Sequence, residues 1–213
     1  MTGILGKKLG MTRVFTNDGK MISVTVVEAG PCPILTIKEK HIQLGFDLVK
    51  ESRLKKPLLM YFKKLNIAPR KVIREVLKEQ GTEYKIGQDL KVDLFKAGDF
   101  VDITGVSIGK GFQGGMKRWG WHGGPKTRGS TSHRRVGSLG SSTSPGRVWK
   151  GHHLPGHMGA CRVTIQNLRI IKVDMQNNLL LVEGAVPGHR NSYLIIRKAK
   201  KKNKGPIVHI EKS

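Results

Sequence analysis

One segment of this chain, residues 105–159, is too rich in glycine and too cationic to form an ordinary hydrophobic core. Fifteen of its 55 residues are glycine, and no aspartate or glutamate occurs between Asp102 and Asp174. Few aliphatic side chains are present before Val163, so the segment buries too little apolar surface to offset the entropy lost on ordering. Segments of this length and kind are functional or disordered. We therefore treat residues 105–159 as an arm, disordered when free and ordered when bound.

The net charge of the whole chain narrows the class of partner. The 213 residues include 39 Lys or Arg and 15 Asp or Glu, which gives a formal net charge of +24 at pH 7. Such a charge destabilises a compact state by self-repulsion, so we expect the chain to bind a polyanion. The longest apolar stretches, at 179–182 and 194–196, are far shorter than the roughly 20 residues of a membrane span. The chain is therefore predicted to bind nucleic acid and not a membrane.

Outside the arm the sequence indicates a mainly β domain. Apolar and β-branched residues, alternating with polar ones or in short runs, predict strands at 21–27, 34–37, 41–46, 88–95, 100–106, 162–173, 179–182 and 193–196. Residues 57–65 suit a short helix with Pro57 in its first turn. Residues 70–80 fit both a helix and a strand, and we assign a strand because the neighbouring elements are strands.

These elements predict the domain organisation. Residues 1–104 and 160–213 form one domain from both halves of the chain, interrupted by a small α/β insertion at about 50–85 and by the arm. The chain outside the arm is long enough to bury a core of its own. The two cysteines, Cys32 and Cys161, allow one disulfide, but nothing resembles a disulfide framework, and two reduced thiols are the preferred interpretation. We expect no targeting segment, because the globular pattern begins at once.

Two motifs in the arm could indicate a small-molecule or metal site. Residues 109–114 match the pattern G-x-G-x-x-G, but we expect no helix to begin after them. No acidic residue follows about 20 positions later either, and a dinucleotide site requires both features. His152, His153, His157 and Cys161 carry metal-binding atoms, yet their spacing matches no standard zinc pattern. We expect no cofactor and no metal.

Catalysis is not indicated either. Asp89, Asp93, Asp99 and Asp102 lie on predicted strands and turns, where a structural or solvated role is the default. The serines of the arm have no acid near them in sequence that could orient a histidine base. A flexible, acid-free arm is also a poor support for a preorganised active site.

RNA fits the arm better than these alternatives. Lys and Arg side chains neutralise phosphates, glycine permits close backbone approach, and the aromatic residues Phe112, Trp119, Trp121 and Trp149 can stack on unpaired bases. The residues expected to contact RNA are Lys110, Lys117, Arg118, Trp119, Lys126, Arg128, His133, Arg134, Arg135, Arg147, Trp149, Lys150 and His157.

Several stretches of the sequence carry specific motifs in a characteristic order. One is residues 95–118, with Asp102, Gly105 and the glycine motif, and others lie at 6–12, 28–33, 144–151, 155–159 and 179–188. Together they resemble the universal large-subunit ribosomal protein L3 family in its bacterial form.

The resemblance implies a closed β-barrel with a small inserted region and a long loop that enters large-subunit ribosomal RNA. It implies binding near the 3′ end of that RNA, a role early in subunit assembly, neighbouring ribosomal proteins as partners, no catalysis, and residence in the cytoplasmic (bacterial or organelle-encoded) ribosome. The segment expected nearest the peptidyl transferase centre comprises Ser141, Ser142, Thr143, Ser144 and Pro145.

Two rival functions remain open at this point. An RNA-modifying or nucleotide-dependent enzyme predicts an organised ligand pocket and a defined small-molecule affinity. A general nucleic-acid packaging protein predicts similar affinity for any duplex at fixed salt, whereas an assembly protein prefers folded ribosomal RNA.

Overall fold

The computed structural model describes residues 3–79 and 81–202 and is mainly β. Its strands are β1 (Gly3–Phe15), β2 (Met21–Ala29), β3 (Cys32–Ile37), β4 (His41–Leu48), β5 (Arg70–Leu77), β6 (Asp89–Leu90), β7 (Phe100–Val106), β8 (Gly111–Gln113), β9 (Gly156–Met158), β10 (Arg162–Asp174), β11 (Leu179–Glu183) and β12 (Tyr193–Lys198). Its α-helices are α1 (Lys56–Leu65) and α2 (Gly115–Trp119). Short 3₁₀ turns occur at Glu51–Arg53 and Val92–Leu94. Within this described part, no helix is long and apolar enough to cross a membrane.

The chain divides into two compact units. The first comprises Met1–Ser107 and Arg162–Ser213, and the second comprises Ile108–Cys161. The sequence places the arm at 105–159, so its predicted ends differ from those of the second unit by two or three residues.

Six strands of the first unit pair in a ring. In the order β1, β12, β7, β10, β11 and β2, each strand forms an antiparallel ladder with the next, and β2 pairs with β1 again. Two glycines permit close packing inside the ring. A Cβ at Gly6 would lie 2.8 Å from the carbonyl oxygen of Glu28, and one at Gly105 would lie 2.7 Å from a methyl of Leu194. Larger side chains at these positions would force the strands apart.

A second sheet, ordered β5-β4-β3-β6, packs on the same core. It spans residues 32–90, so it begins before and ends after the predicted insertion at about 50–85. Three of its strands, β3, β4 and β6, lie in the part of the sequence assigned to the main domain. Helix α1 buries Phe62, and the hydroxyl of the adjacent Tyr61 donates a hydrogen bond to Gln43 Oε1 of β4 at 2.8 Å. This contact holds the helix against the sheet.

A side-chain hydrogen bond joins β12 of the ring to β4 of the second sheet. The Tyr193 hydroxyl of β12 donates to Asp47 Oδ2 of β4 at 2.7 Å. Partial burial, and next the neighbouring Asp47 carboxylate, raise the pKa of Tyr193. The apolar core is continuous across both sheets and includes Ile4 and Ile103 of the ring together with Ile34 of the second sheet.

Most predicted elements of the first unit are confirmed, and one is wrong. The helix at 57–65 and the strand at 70–80 are present as α1 and β5. The single strand predicted at 88–95 is instead the two-residue β6 followed by the 3₁₀ turn Val92–Leu94. The turn is closed by the Phe95 amide, which donates to the Val92 carbonyl at 3.0 Å. It brings both Val92 and Phe95 into the core.

The two thiols differ in environment, and this predicts different reactivity. No disulfide joins Cys32, which is buried, to Cys161, which is exposed. Burial raises the pKa of the Cys32 thiol to about 12. At pH 8 only about one Cys32 side chain in 10⁴ is therefore in the reactive thiolate form.

We expect a thiol reagent at pH 8 to modify Cys161 in the native protein and Cys32 only after denaturation. The variant Cys161→Ser should then show no native reactivity, and equal rates for both wild-type thiols would contradict the prediction.

Candidate nucleic-acid interface

The second unit carries positive charge without internal neutralisation. Between residues 108 and 161 there are nine Lys or Arg and no Asp or Glu. The ion pairs found among the described residues lie in the first unit. Eight of the nine cations are exposed and Arg118 is half-buried. Since the unit contains no carboxylates, the counter-charge for these cations comes from outside it, either from mobile ions or from a bound polyanion.

A small antiparallel sheet brings the two ends of the second unit together. Strand β8 pairs with β9, with Phe112 opposite His157. The backbone amide of Lys110 donates to the Met158 carbonyl at 2.9 Å. Both Phe112 and His157 are exposed. The sheet therefore places two expected RNA contacts, Lys110 and His157, at neighbouring positions.

Arg118 and Trp119 bind the backbone of the returning chain. Arg118 Nη1 donates to the Leu154 carbonyl at 2.7 Å, and Trp119 Nε1 donates to the same oxygen at 2.9 Å. The Trp119 ring stacks on His153, with centroids 4.1 Å apart and planes 7° apart. One face of Trp119 is thus occupied within the unit, and the sequence could not show this because the partners are more than 30 positions apart.

The Trp149 side chain is more exposed to solvent than that of Trp119. Its side chain is 62% exposed, compared with 42% for Trp119. The Arg147 guanidinium lies 5.6 Å from the Trp149 ring centroid, a cation–π contact. Lys150 follows directly and is exposed. This cluster combines an accessible aromatic face with two cations, which suits stacking on a base next to a phosphate.

The loop that contains Lys126 and Arg128 is closed by His133. Its Nδ1 lies 2.9 Å from the Pro125 carbonyl oxygen, and its own carbonyl accepts from the Gly124 amide at 3.1 Å. His133 therefore holds the two ends of the loop together, and its side chain is also exposed. Arg134 and Arg135 follow it directly, and Lys117 lies on α2; all three are exposed.

The segment 141–145 lies at an exposed turn. Ser141, Ser142, Thr143 and Ser144 are exposed, and Pro145 is half-buried. Gly146 closes the turn with a φ of +62°, a left-handed conformation that glycine adopts without strain.

The other chemical motifs have structural roles. A five-residue helix, α2, does follow the glycine motif at 109–114, contrary to the sequence-based expectation. However, the motif's strand β8 pairs antiparallel with β9 and is not part of a parallel βαβ unit. The Asp102 carboxylate accepts a hydrogen bond from the backbone amide of Asn167 at 2.9 Å. No group of three or more His, Cys, Asp or Glu in the described ranges is arranged to hold a metal ion.

Comparison with known proteins identifies the family. The model of the family described as ribosomal protein L3 matches residues 75–211. The chain belongs to the ribosomal protein L3 family. It is 51% identical over 205 residues to the large ribosomal subunit protein uL3 of Carboxydothermus hydrogenoformans, and the alignment covers 93% of this chain and 98% of the relative. It is 47% identical over 211 residues to the uL3 of Brachyspira pilosicoli, which covers 96% and 97%.

This assignment agrees with the resemblance drawn from the motifs. A third relative, the uL3 of Thermotoga maritima, is 47% identical over 206 residues and covers 94% of this chain and 98% of its own length. Bacterial proteins of the large ribosomal subunit therefore match more than nine-tenths of this L3-family chain.

Proposed function

We propose that the chain is a structural constituent of the large ribosomal subunit and that its second unit binds large-subunit ribosomal RNA. The observation that carries the proposal is the set of nine Lys or Arg at 108–161 with no acidic residue among them. Phosphates of crowded RNA helices supply the missing counter-charge. The exposed ring of Trp149 adds a stacking surface for an unpaired base. On this view the arm orders when it binds RNA.

The finer features follow from the family resemblance. We propose that the chain binds near the 3′ end of the RNA, acts early in subunit assembly, and places residues 141–145 closest to the peptidyl transferase centre. Neighbouring large-subunit proteins are its other partners, in the cytoplasmic ribosome. The RNA performs peptide transfer, and the protein supplies charge neutralisation and shape, so no enzymatic role is proposed.

We further infer that the six-strand ring of the first unit closes as a β-barrel. Five ladders join the six strands in a row, and the sixth, between β2 and β1, joins the last strand to the first, which supports this inference. In a closed barrel no strand edge is left for pairing with another chain.

The contribution of phosphate contacts can be tested at one adjacent pair. We expect Arg134→Ala with Arg135→Ala to weaken binding to large-subunit RNA and to reduce the salt slope by roughly one to two units, about one per lost phosphate contact. The measurement is the affinity for transcribed RNA over a salt series. An unchanged slope would remove both residues from the phosphate contacts.

A matched control removes the same charge elsewhere. Lys55 and Lys56 are adjacent and exposed at the start of α1. The double variant Lys55→Ala with Lys56→Ala should keep the wild-type salt slope. An equal loss in both double variants would indicate a non-specific effect of net charge and would favour the packaging alternative.

A further inference from the structure

The second unit contains a cavity that charge neutralisation does not explain. Its volume is about 480 Å³, and Trp121, Gly137, Ser138, His152 and His153 contribute to its lining. This volume lies within the range of about 300–1,000 Å³ that is usual for small-molecule sites. The cavity is therefore large enough for one nucleoside.

Two aromatic walls of the cavity are held in place by their neighbours. The Trp121 ring packs so closely against Gly115 that a Cβ at this position would overlap it. His153 is stacked on Trp119 with the two planes 7° apart. Once the second unit is ordered on RNA, these contacts fix both side chains, so a base that enters the cavity meets a preformed aromatic lining.

Positively charged residues flank the cavity in sequence and favour a ligand that carries phosphates. Arg134 and Arg135 precede the lining residue Val136, and Lys150 precedes the lining residue Gly151; all three cations are exposed. An aromatic ligand flanked by phosphates matches this arrangement. The Ser138 hydroxyl and the imidazole nitrogens can hydrogen-bond to a base edge.

We propose that this cavity binds a single unpaired nucleobase of large-subunit ribosomal RNA, extruded from its strand. The inference rests on the proposed function, because it names a base-binding site within the same RNA-binding unit. Stacking of one base on an aromatic side chain strengthens binding by about five- to a hundredfold, so the site adds affinity that does not depend on salt.

The test fills the cavity without removing a contact. Gly137 has no non-neighbouring heavy atom within 4 Å of where a Cβ would stand, and its φ is not positive, so Gly137→Trp places an indole at the cavity. The matched control, Thr131→Trp, adds an indole at an exposed position that does not line it. Each full-length protein is bound to transcribed large-subunit RNA over a salt series, with base-specific chemical probing.

We expect Gly137→Trp to bind about tenfold more weakly with an unchanged salt slope, because the phosphate contacts remain. One base protected by the wild type and by Thr131→Trp should become reactive. Wild-type affinity and protection for Gly137→Trp would overturn the proposal. If the wild-type chain itself shows no preference for this RNA, the proposed function fails instead.

A second variant covers the case in which Gly137→Trp perturbs folding. His152→Ala removes part of the lining without adding bulk, and we expect it to weaken binding several-fold at an unchanged salt slope. If circular dichroism shows that Gly137→Trp is misfolded, unchanged affinity and protection for His152→Ala would overturn the proposal.

Discussion

Replacing residues 108–161 by a linker of about four residues is expected to abolish tight binding to large-subunit RNA and to leave the first unit folded. The replacement is geometrically simple, because Val106 and Arg162 are directly paired across β7 and β10, and antiparallel neighbours can be joined by two to five residues. The variant lacks nine Lys or Arg. If each neutralises one phosphate, they contribute about 6 to 8 units of the salt slope.

The measurement pairs RNA affinity over a salt series with thermal unfolding of the same preparation. The variant should show a cooperative transition, since the apolar core lies in the first unit. Retention of the wild-type salt slope would show that the first unit carries the phosphate contacts. Loss of the cooperative transition would contradict the independence of the first unit.

Truncation of Phe95 is expected to produce the largest loss of stability from a single substitution. Phe95 is 1% exposed and belongs to the core shared by the ring and the second sheet. Phe95→Ala should lower the free energy of unfolding by about 3–5 kcal/mol, through lost burial and the cavity left behind. Urea denaturation of the full chain measures the change.

The matched control is the same truncation at an exposed position. Phe112 is 76% exposed, so Phe112→Ala should change the free energy of unfolding by no more than about 0.5 kcal/mol. A Phe95→Ala variant within about 1 kcal/mol of the wild type would mean that Phe95 is not part of a tightly packed core.

Strands with strong local patterns could be predicted from the sequence. The runs at 21–27 and 100–106 are rich in apolar and β-branched residues and are confirmed as β2 and β7. Strand β1 is different: Gly3–Phe15 contains three glycines and two adjacent lysines, a composition that is depleted in strands. It forms because β2 and β12 pair with it on its two sides. Such long-range pairing leaves no local signal.

The error at 88–95 has a related cause. Leu90, Val92 and Leu94 alternate as in a half-buried strand, but the Val92–Leu94 turn redirects the chain after Leu90. Period-two spacing over so few residues does not distinguish a strand from a turn that places alternate side chains in a core.

For the candidate RNA interface, charge could be predicted and geometry could not. The absence of acids and the positions of the nine cations can be counted directly. The stacking of Trp119 on His153 and the fit of Trp121 against Gly115 depend on how the unit folds back on itself. Because of these contacts Trp119 is less exposed than Trp149, although the sequence presents the two as equivalent stacking residues.

The central claim, burial of the chain in ribosomal RNA, is tested most directly by sedimentation of a tagged copy from cell lysate through a high-salt sucrose cushion. Peripheral electrostatic binders are released as salt rises. The tagged chain should be retained with the large subunit. Its release into the supernatant, with the subunit intact, would contradict an integral structural role.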